Sequence, residues 1–454
     1  MATGLLFAAY RARRVPTSGL VFAYIANLAL IHWAGALIYA LPWYTTPQAR
    51  QVQTGFHETT YGFVALIAGV GASLIFSSSD RRSVHRAVLP VGRLAWTYIA
   101  VGLTSYLVLL PWLGTVPTLG AVLAAGWNLY AIGIALKCRE VAEQERWTAI
   151  LPWLVLVFLT PVITILTQGF LGFGVQVVIV VIVFMATTTR HRWRWTAASL
   201  LLIYPALSIY VAYMAQRDYL RQSVWGGDPM RARIERLYDT ARSVEPFDIT
   251  NQSHIQPIDE RLNQNQLVGA CVEYLDGLSH PFAGGETLWY GVIALVPRIV
   301  WPDKPVVAGS MGLVTRYTGV TFGAFTSVGI GQVMEFYMNF GTAGVIVGFF
   351  VFGLIVAAFD RAAAIHLRSG DYVGFTAWFL PGMALLQAGG SIVEITSSVA
   401  AGAATAYLLN HHVLPAIGFD PPRPRVVRAR RARRPLRPMA RIRPFPPRNR
   451  RALS

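Results

Sequence analysis

Charged residues are scarce in this chain. They make up 13% of its 454 residues, against about 25% in a soluble domain. That deficit argues against the two or three soluble domains that length alone would suggest. Lysine is nearly missing: of 39 basic residues only Lys137 and Lys304 are not arginine. Cysteine is confined to Cys138 and Cys271, too few for a disulfide framework. No glycine-rich phosphate loop occurs, because "GVGA" and "GFLGFG" lack the lysine and the strand context such a loop needs. No Ser, Cys and His arrangement forms a nucleophile elbow. His57, His254 and His280 are far apart in sequence, so a zinc site has little support.

What replaces charge is long apolar runs. Residues 19–41 are 23 in number and carry none, where a membrane span needs roughly 20. Similar runs cover 94–113, 116–136, 148–166, 169–186, 196–214 and 340–359, with shorter or more polar ones at 61–76, 372–387 and 392–409. These predict about ten transmembrane helices, since lipid offers backbone groups no outside partner. The first run is too long for a signal-peptide core and reads as a retained anchor.

Arginine distribution sets the expected orientation. Every second short loop is basic: Arg11, Arg13 and Arg14; then Arg81, Arg82 and Arg86; then Lys137, Arg139 and Arg146; then Arg190, Arg192 and Arg194. The loops between, such as "LPWLGTVPT", are uncharged. Basic loops stay in the cytoplasm, which places both termini inside. Cys138 and Cys271 then lie on opposite sides of the membrane and cannot pair. No Asp-x-Asp pair sits in a loop on the cytoplasmic side, so a metal-dependent nucleotide-sugar site there has no support.

The expected class is an all-α polytopic membrane protein with one large extracytoplasmic loop before the third-last span. Residues 1–214 hold helices one to seven, 215–338 the loop, 339–410 helices eight to ten, and 411–454 an Arg/Pro-rich cytoplasmic tail. Within the loop, "DPMRARIERLYDTAR" and "DERLNQNQLVGACVEYLDGL" read as two helices of a polar cap. Residues 286–300 are apolar enough to tempt a span assignment. A crossing there would put the arginine tail outside, so they read as a re-entrant or interfacial helix.

The second half of the loop has few charges: Glu286, Arg298, Asp303, Lys304, Arg316 and Glu335. Arginine's planar fork suits phosphate oxygens, and prolines around Arg298 fix the backbone. Arg298, Lys304 and Arg316 thus suit an anionic group at the outer surface, or else anchor the loop against lipid phosphates. A carboxylate at Glu335 suits proton acceptance from a hydroxyl. Pyrophosphate held by arginines needs no metal, its charge being matched already. Glu394 and Gln387, near the outer ends of the last two spans, are further candidates for lining a cavity.

"VPRIVWPDKP", followed by "RYTG" and "TSVGIGQVMEFYMNFGTAGVIVGFFVFG", resembles the signature region of bacterial oligosaccharide repeat-unit polymerases of the O-antigen polymerase type. The matching positions are Pro297, Arg298, Trp301, Pro302, Lys304 and Pro305, then Thr326 and Ser327, then Glu335, Phe336, Tyr337, Asn339, Phe340 and Gly341. The match covers 295–353. The resemblance implies a glycosyltransferase of the bacterial cytoplasmic membrane, in O-antigen, capsule or exopolysaccharide synthesis. It would move a growing glycan from its polyprenyl pyrophosphate onto a hydroxyl of the next lipid-linked unit, without cofactor or metal. It implies Arg298, Lys304 and Arg316 as pyrophosphate ligands and Glu335, with Arg298, as catalytic. Trp301 and Tyr337 would stack on sugar rings, and Asp303 would join the substrate-binding set. Chain-length regulator and flippase proteins are the implied protein partners. A glycan ligase or a flippase for the same lipid-linked sugar are the alternatives.

The tail from Arg423 onward holds thirteen arginines and no acid. Anionic lipids are its expected partner, at about 1 kcal/mol per basic residue near the surface; nucleic acid has the same charge warrant but is disfavoured by membrane tethering.

Overall fold

The computed structural model describes residues 2–13, 15–76, 91–116, 118–277, 280–298, 300–305, 309–322 and 328–419. The basic loop with Arg81, Arg82 and Arg86, the pair Thr326 and Ser327, and the arginine tail lie outside the described residues. The described residues form helices and connecting turns, with no strand among them.

In chain order the helices are α1 (Ala2–Ala12), α2 (Leu20–Ile38), α3 (Ala49–Phe76), α4 (Val91–Leu113), α5 (Leu119–Glu143), α6 (Trp147–Gln168), α7 (Gly172–Thr188) and α8 (Arg192–Trp225). Then come α9 (Met230–Arg242), α10 (Gln252–Arg261), α11 (Asn265–Val272), α12 (Glu286–Ala294) and α13 (Ser310–Thr318). The chain closes with α14 (Gln332–Arg368), α15 (Tyr372–Ala384) and α16 (Ile392–Ala416). Eight of them, α2 to α6, α8, α14 and α16, are long and apolar enough to cross a membrane. The expected sixth and ninth spans are the shorter helices α7 and α15. The chain is an all-helical polytopic membrane protein. Two π turns, Thr104–Leu109 inside α4 and Leu409–Val413 inside α16, lie just ahead of Pro111 and Pro415. A proline removes a backbone donor and crowds the preceding turn, which a π turn absorbs.

The centre of the bundle is the α3–α14 pair. Gly55, Gly62 and Gly69 recur every seven residues, so they share one face of α3. A side chain at these positions would run into the Asn265 carbonyl, the Phe349 ring and the Phe350 carbonyl respectively. Small residues let helix backbones approach closely where no hydrophobic force drives them together. The same stripe therefore seats both α14 and α11. At the opposite end, buried Asp360 of α14 accepts from Ser18 N (3.0 Å), Ser18 Oγ (2.9 Å) and Leu20 N (2.9 Å). It caps the start of α2, whose preceding Gly19 supplies no side chain for the purpose.

Helices α9 to α13 lie between α8 and α14 in the chain, and among them α10 packs on α2 and α8 and α11 on α3 and α14. Three sequence expectations are corrected here. The helix expected over 259–278 is broken between Arg261 and Asn265, because α2 docks there: Gly35 N donates to Leu262 O (3.2 Å) and Gln264 N to Ile31 O (2.9 Å). Helix α8 continues eleven residues past the expected end at position 214. Helix α14 starts at Gln332, eight residues before the expected 340, and is interrupted at Phe340 and Gly341. Gly341 has φ 63 and ψ −155, a conformation essentially confined to glycine, which accounts for the glycine after the signature's Asn339-Phe340. The tempting run 286–300 contains only the nine-residue α12, about 13 Å long at 1.5 Å per residue and too short to span.

Candidate functional site

The signature segment is built on α12, which is fastened at both ends. At its start, Asn339 Oδ1 accepts from Gly285 N (2.9 Å), and Asn339 Nδ2 donates to Thr287 Oγ1 (2.7 Å) and Glu335 O (2.7 Å). Toward its end, Thr396 Oγ1 of α16 donates to Gly291 O (2.7 Å). The Asn339 amide thus joins two elements rather than facing a ligand.

Beyond α12 the chain turns at Pro297 and folds back on itself. Arg298 Nη1 donates to Lys304 O (3.0 Å) and Pro302 O (3.4 Å), and Lys304 Nζ donates to Val296 O (2.9 Å). Each cation braces the strand of loop that carries the other. Among the described residues no carboxylate pairs with either. Burial, and then the neighbouring Arg298, push the Lys304 pKa below the ordinary lysine range. Trp301 and Asp303 are exposed on the same loop.

Glu335 and Tyr337 lie elsewhere than the sequence suggests. Glu335 is fully buried; its Oε2 accepts from Ile392 N (2.6 Å) and fixes the first turn of α16 to α14. Its Oε1 is buried without a partner among the described residues. Tyr337 is also buried, with its hydroxyl on Asp276 Oδ2. Neither side chain faces solvent, so a base in contact with substrate and an open stacking surface do not fit them in this conformation. Residues 332–339 form a short helical stretch that ends at the break at Phe340 and Gly341 and is tied to α12 through Asn339 and to α16 through Glu335.

A carboxylate beside Glu335 that does reach the surface is Glu394. Ser391 and Glu394 form a capping box at the start of α16 (Glu394 N to Ser391 Oγ 3.2 Å, Ser391 N to Glu394 Oε2 2.9 Å). Glu394 Oε1 also accepts from Ser310 Oγ at the start of α13 (2.9 Å). Arg316, two turns along α13, is exposed and lies 3.6 Å from Glu286 at the start of α12. An open depression of about 410 Å³ adjoins it, lined by Met311, Gly312, Thr315, Arg316, Thr321 and Phe322. The glycine turns beneath are held by Gln332, whose Nε2 donates to Gln387 O (2.6 Å) and Gly390 O (2.9 Å) and whose Oε1 accepts from Tyr24 (2.9 Å).

The structure therefore brings Arg298, Lys304, Trp301 and Asp303 together on one loop. It ties Arg316 to Glu286 and, through α13, to Glu394. It leaves Glu335 and Tyr337 underneath as supports. Three arginines outside the signature, Arg217, Arg221 and Arg261, are also brought near one another where α10 packs on α8. The i, i+4 spacing of the first two was their only sequence signal.

Compared with known families, residues 43–414 match a family model described as "Domain of unknown function (DUF8712)", and the chain belongs to that family. No curated protein and no solved structure matches it.

Proposed function

We propose that this family member is a membrane glycosyltransferase that polymerises polyprenyl-pyrophosphate-linked oligosaccharide repeat units at the outer face of the bacterial cytoplasmic membrane. Both termini are cytoplasmic, and residues 226–331 lie outside. The observation that carries this reading is the Arg298–Lys304 clasp. Two cations are held close by their own loop, without a carboxylate among the described residues to offset them. Like charges so placed favour an anion, and a pyrophosphate at the membrane surface supplies one. The resemblance of this loop to the repeat-unit polymerase signature points the same way.

In the reaction the anomeric carbon of the donor glycan leaves its pyrophosphate oxygen and bonds to a hydroxyl of the incoming unit. The bonding pair departs with the pyrophosphate, where Arg298, Lys304 and Arg316 offset its charge. The hydroxyl proton goes to a carboxylate, a role assigned here to exposed Glu394. Glu335 acts as a positioning residue, because it holds the turn from which Glu394 projects. Trp301 offers an exposed ring to a sugar, and Asp303 an acceptor for its hydroxyls. The chemistry draws on the chain's own side chains, without a cofactor. The arginine tail rests on anionic lipids of the inner leaflet, and chain-length regulator and flippase proteins work alongside.

The test is the length of glycan on the carrier in a strain lacking the gene. Single repeat units on the carrier at the outer leaflet support polymerisation. Full-length polymer left on the carrier identifies a ligase, and units trapped in the inner leaflet identify a flippase; either result overturns the proposal.

A further inference from the structure

Helix α8 is 34 residues long, about 51 Å at 1.5 Å per residue, and so outruns the roughly 30 Å hydrocarbon core. Arg217 and Arg221 lie on this excess length. Counted from Arg192, Arg217 is about 38 Å along the helix, at the depth of lipid headgroups. Both side chains are more than nine-tenths buried (7% and 9% exposed). Arg261, at the end of α10, approaches them from the cap. The three guanidinium groups are within electrostatic reach of one another.

Their partners do not exhaust their donors. Arg217 Nε and Nη2 pair with Asp218 (3.0 and 2.9 Å), a residue 78% exposed whose carboxylate also acts on Arg261. Arg221 Nε donates to Gly169 O (3.2 Å), and its guanidinium lies over Phe170 (4.5 Å) and Trp225 (5.5 Å). Yet Arg221 Nη1 and Arg261 Nε are buried with no acceptor among the described residues. Glu260 is within reach of Arg261 electrostatically, but it is exposed and accepts from Gln256 (2.7 Å). Tyr210 and Tyr213 complete the lining, and Tyr213 donates to Gly169 O (3.1 Å). Two exposed carboxylates, Asp218 and Glu260, offset three cations only in part and leave the buried Arg221 Nη1 and Arg261 Nε without an acceptor among the described residues, which is unfavourable unless a further anion reaches them.

We propose that Arg217, Arg221 and Arg261 form a second anion site, separate from the signature loop, that takes a phosphate or pyrophosphate group at the membrane surface. The planar forks of three arginines suit a group with several equivalent oxygens. The aromatic wall of Phe170 and Trp225 holds the Arg221 plane in place. The inference stands on this geometry and does not depend on the transfer reaction proposed above. The acceptor comes either from a lipid carrying the phosphate or from the free anion.

The test uses the full-length protein carrying Arg298→Ala, Lys304→Ala and Arg316→Ala in phosphatidylcholine nanodiscs, so that the cations assigned to the first anion site are absent. Binding of farnesyl pyrophosphate, inorganic pyrophosphate and farnesol is measured for that protein and for the same protein carrying Arg221→Gln or Arg261→Gln. The site predicts saturable binding of farnesyl pyrophosphate, weakened at least tenfold by either added substitution, and no comparable binding of farnesol. Inorganic pyrophosphate binding as tightly as the farnesyl compound identifies the free anion as the ligand; weaker binding identifies the lipid. Either supports the site. Unchanged binding in both variants overturns it, as does equal binding of farnesol. A folding control follows from the like charges: with no ligand, Arg261→Gln should melt no lower than its parent. A lower melting temperature with binding intact would make the arginines structural and also end the proposal.

Discussion

Replacing Glu335 separates a supporting role from a chemical one. Its Oε2 receives the Ile392 N–H at 2.6 Å in a fully buried position. Glu335→Ala strands that N–H, at about 1–3 kcal/mol. Deleting the rest of the side chain from a packed site adds roughly 2 kcal/mol. The combined loss is about 3–5 kcal/mol, which at on the order of 2 °C per kcal/mol for a large chain is a fall of roughly 6–10 °C. Glu335→Gln keeps an acceptor for Ile392 N and nearly the same side-chain volume. Its loss should therefore be about 1 kcal/mol or less. The assay is thermal unfolding of the purified protein in detergent, followed by tryptophan fluorescence, alongside glycan length in complemented cells. Alanine should unfold early and give little polymer; glutamine should approach the parent in both. Equal melting of all three proteins would refute the anchoring argument. A glutamine variant that melts normally but makes no polymer would show that the carboxylate itself takes part in the chemistry.

Further outcomes follow from the same geometry. Lys304 is held below the ordinary lysine range by burial and by Arg298, so its free amine forms at lower pH than that of an ordinary lysine. Its reaction with an impermeant amine reagent should set in at correspondingly lower pH, and Arg298→Ala should move that onset upward. Anion binding by the loop should weaken as pH climbs through the lowered value, because the ammonium is lost there. With only one other lysine, Lys137, labelling of intact cells also reports sidedness: Lys304 should react from outside and Lys137 should not. Gly341→Val forces a branched side chain into a conformation near-exclusive to glycine, and should cost about 1–3 kcal/mol or more in thermal unfolding. Asp360→Ala removes four acceptor contacts at the start of α2, from Thr17 Oγ1, Ser18 N, Ser18 Oγ and Leu20 N, and should lower stability by about 2–4 kcal/mol. Asp360→Asn, which can still accept, should lose markedly less; equal losses would show that the charge, not the cap, matters.

The bundle was legible because apolar runs of span length have few alternatives in lipid, and each expected run corresponds to a helix. The loop's helices were legible in part. The sequence around Met230–Arg242 carries its own helical pattern, whereas the break after Arg261 depends on two backbone hydrogen bonds from α2, a partner more than 220 positions away. The same limit applies to the site. Local sequence marks Arg298, Trp301 and Lys304, which sit on one loop. It does not show that Glu335 and Tyr337 are buried while Glu394 comes to the surface. Nor does it join Arg261 to Arg217 and Arg221, because that meeting depends on how α10 packs on α8.

The most direct measurement is glycan length in a deletion strain complemented with Arg298→Ala. Arg298 braces the loop and, with Lys304, supplies the charge proposed to receive pyrophosphate. The expected result is single repeat units on the carrier, with protein level in the membrane unchanged. Polymer of normal length, made by that variant at normal level, would contradict the central claim.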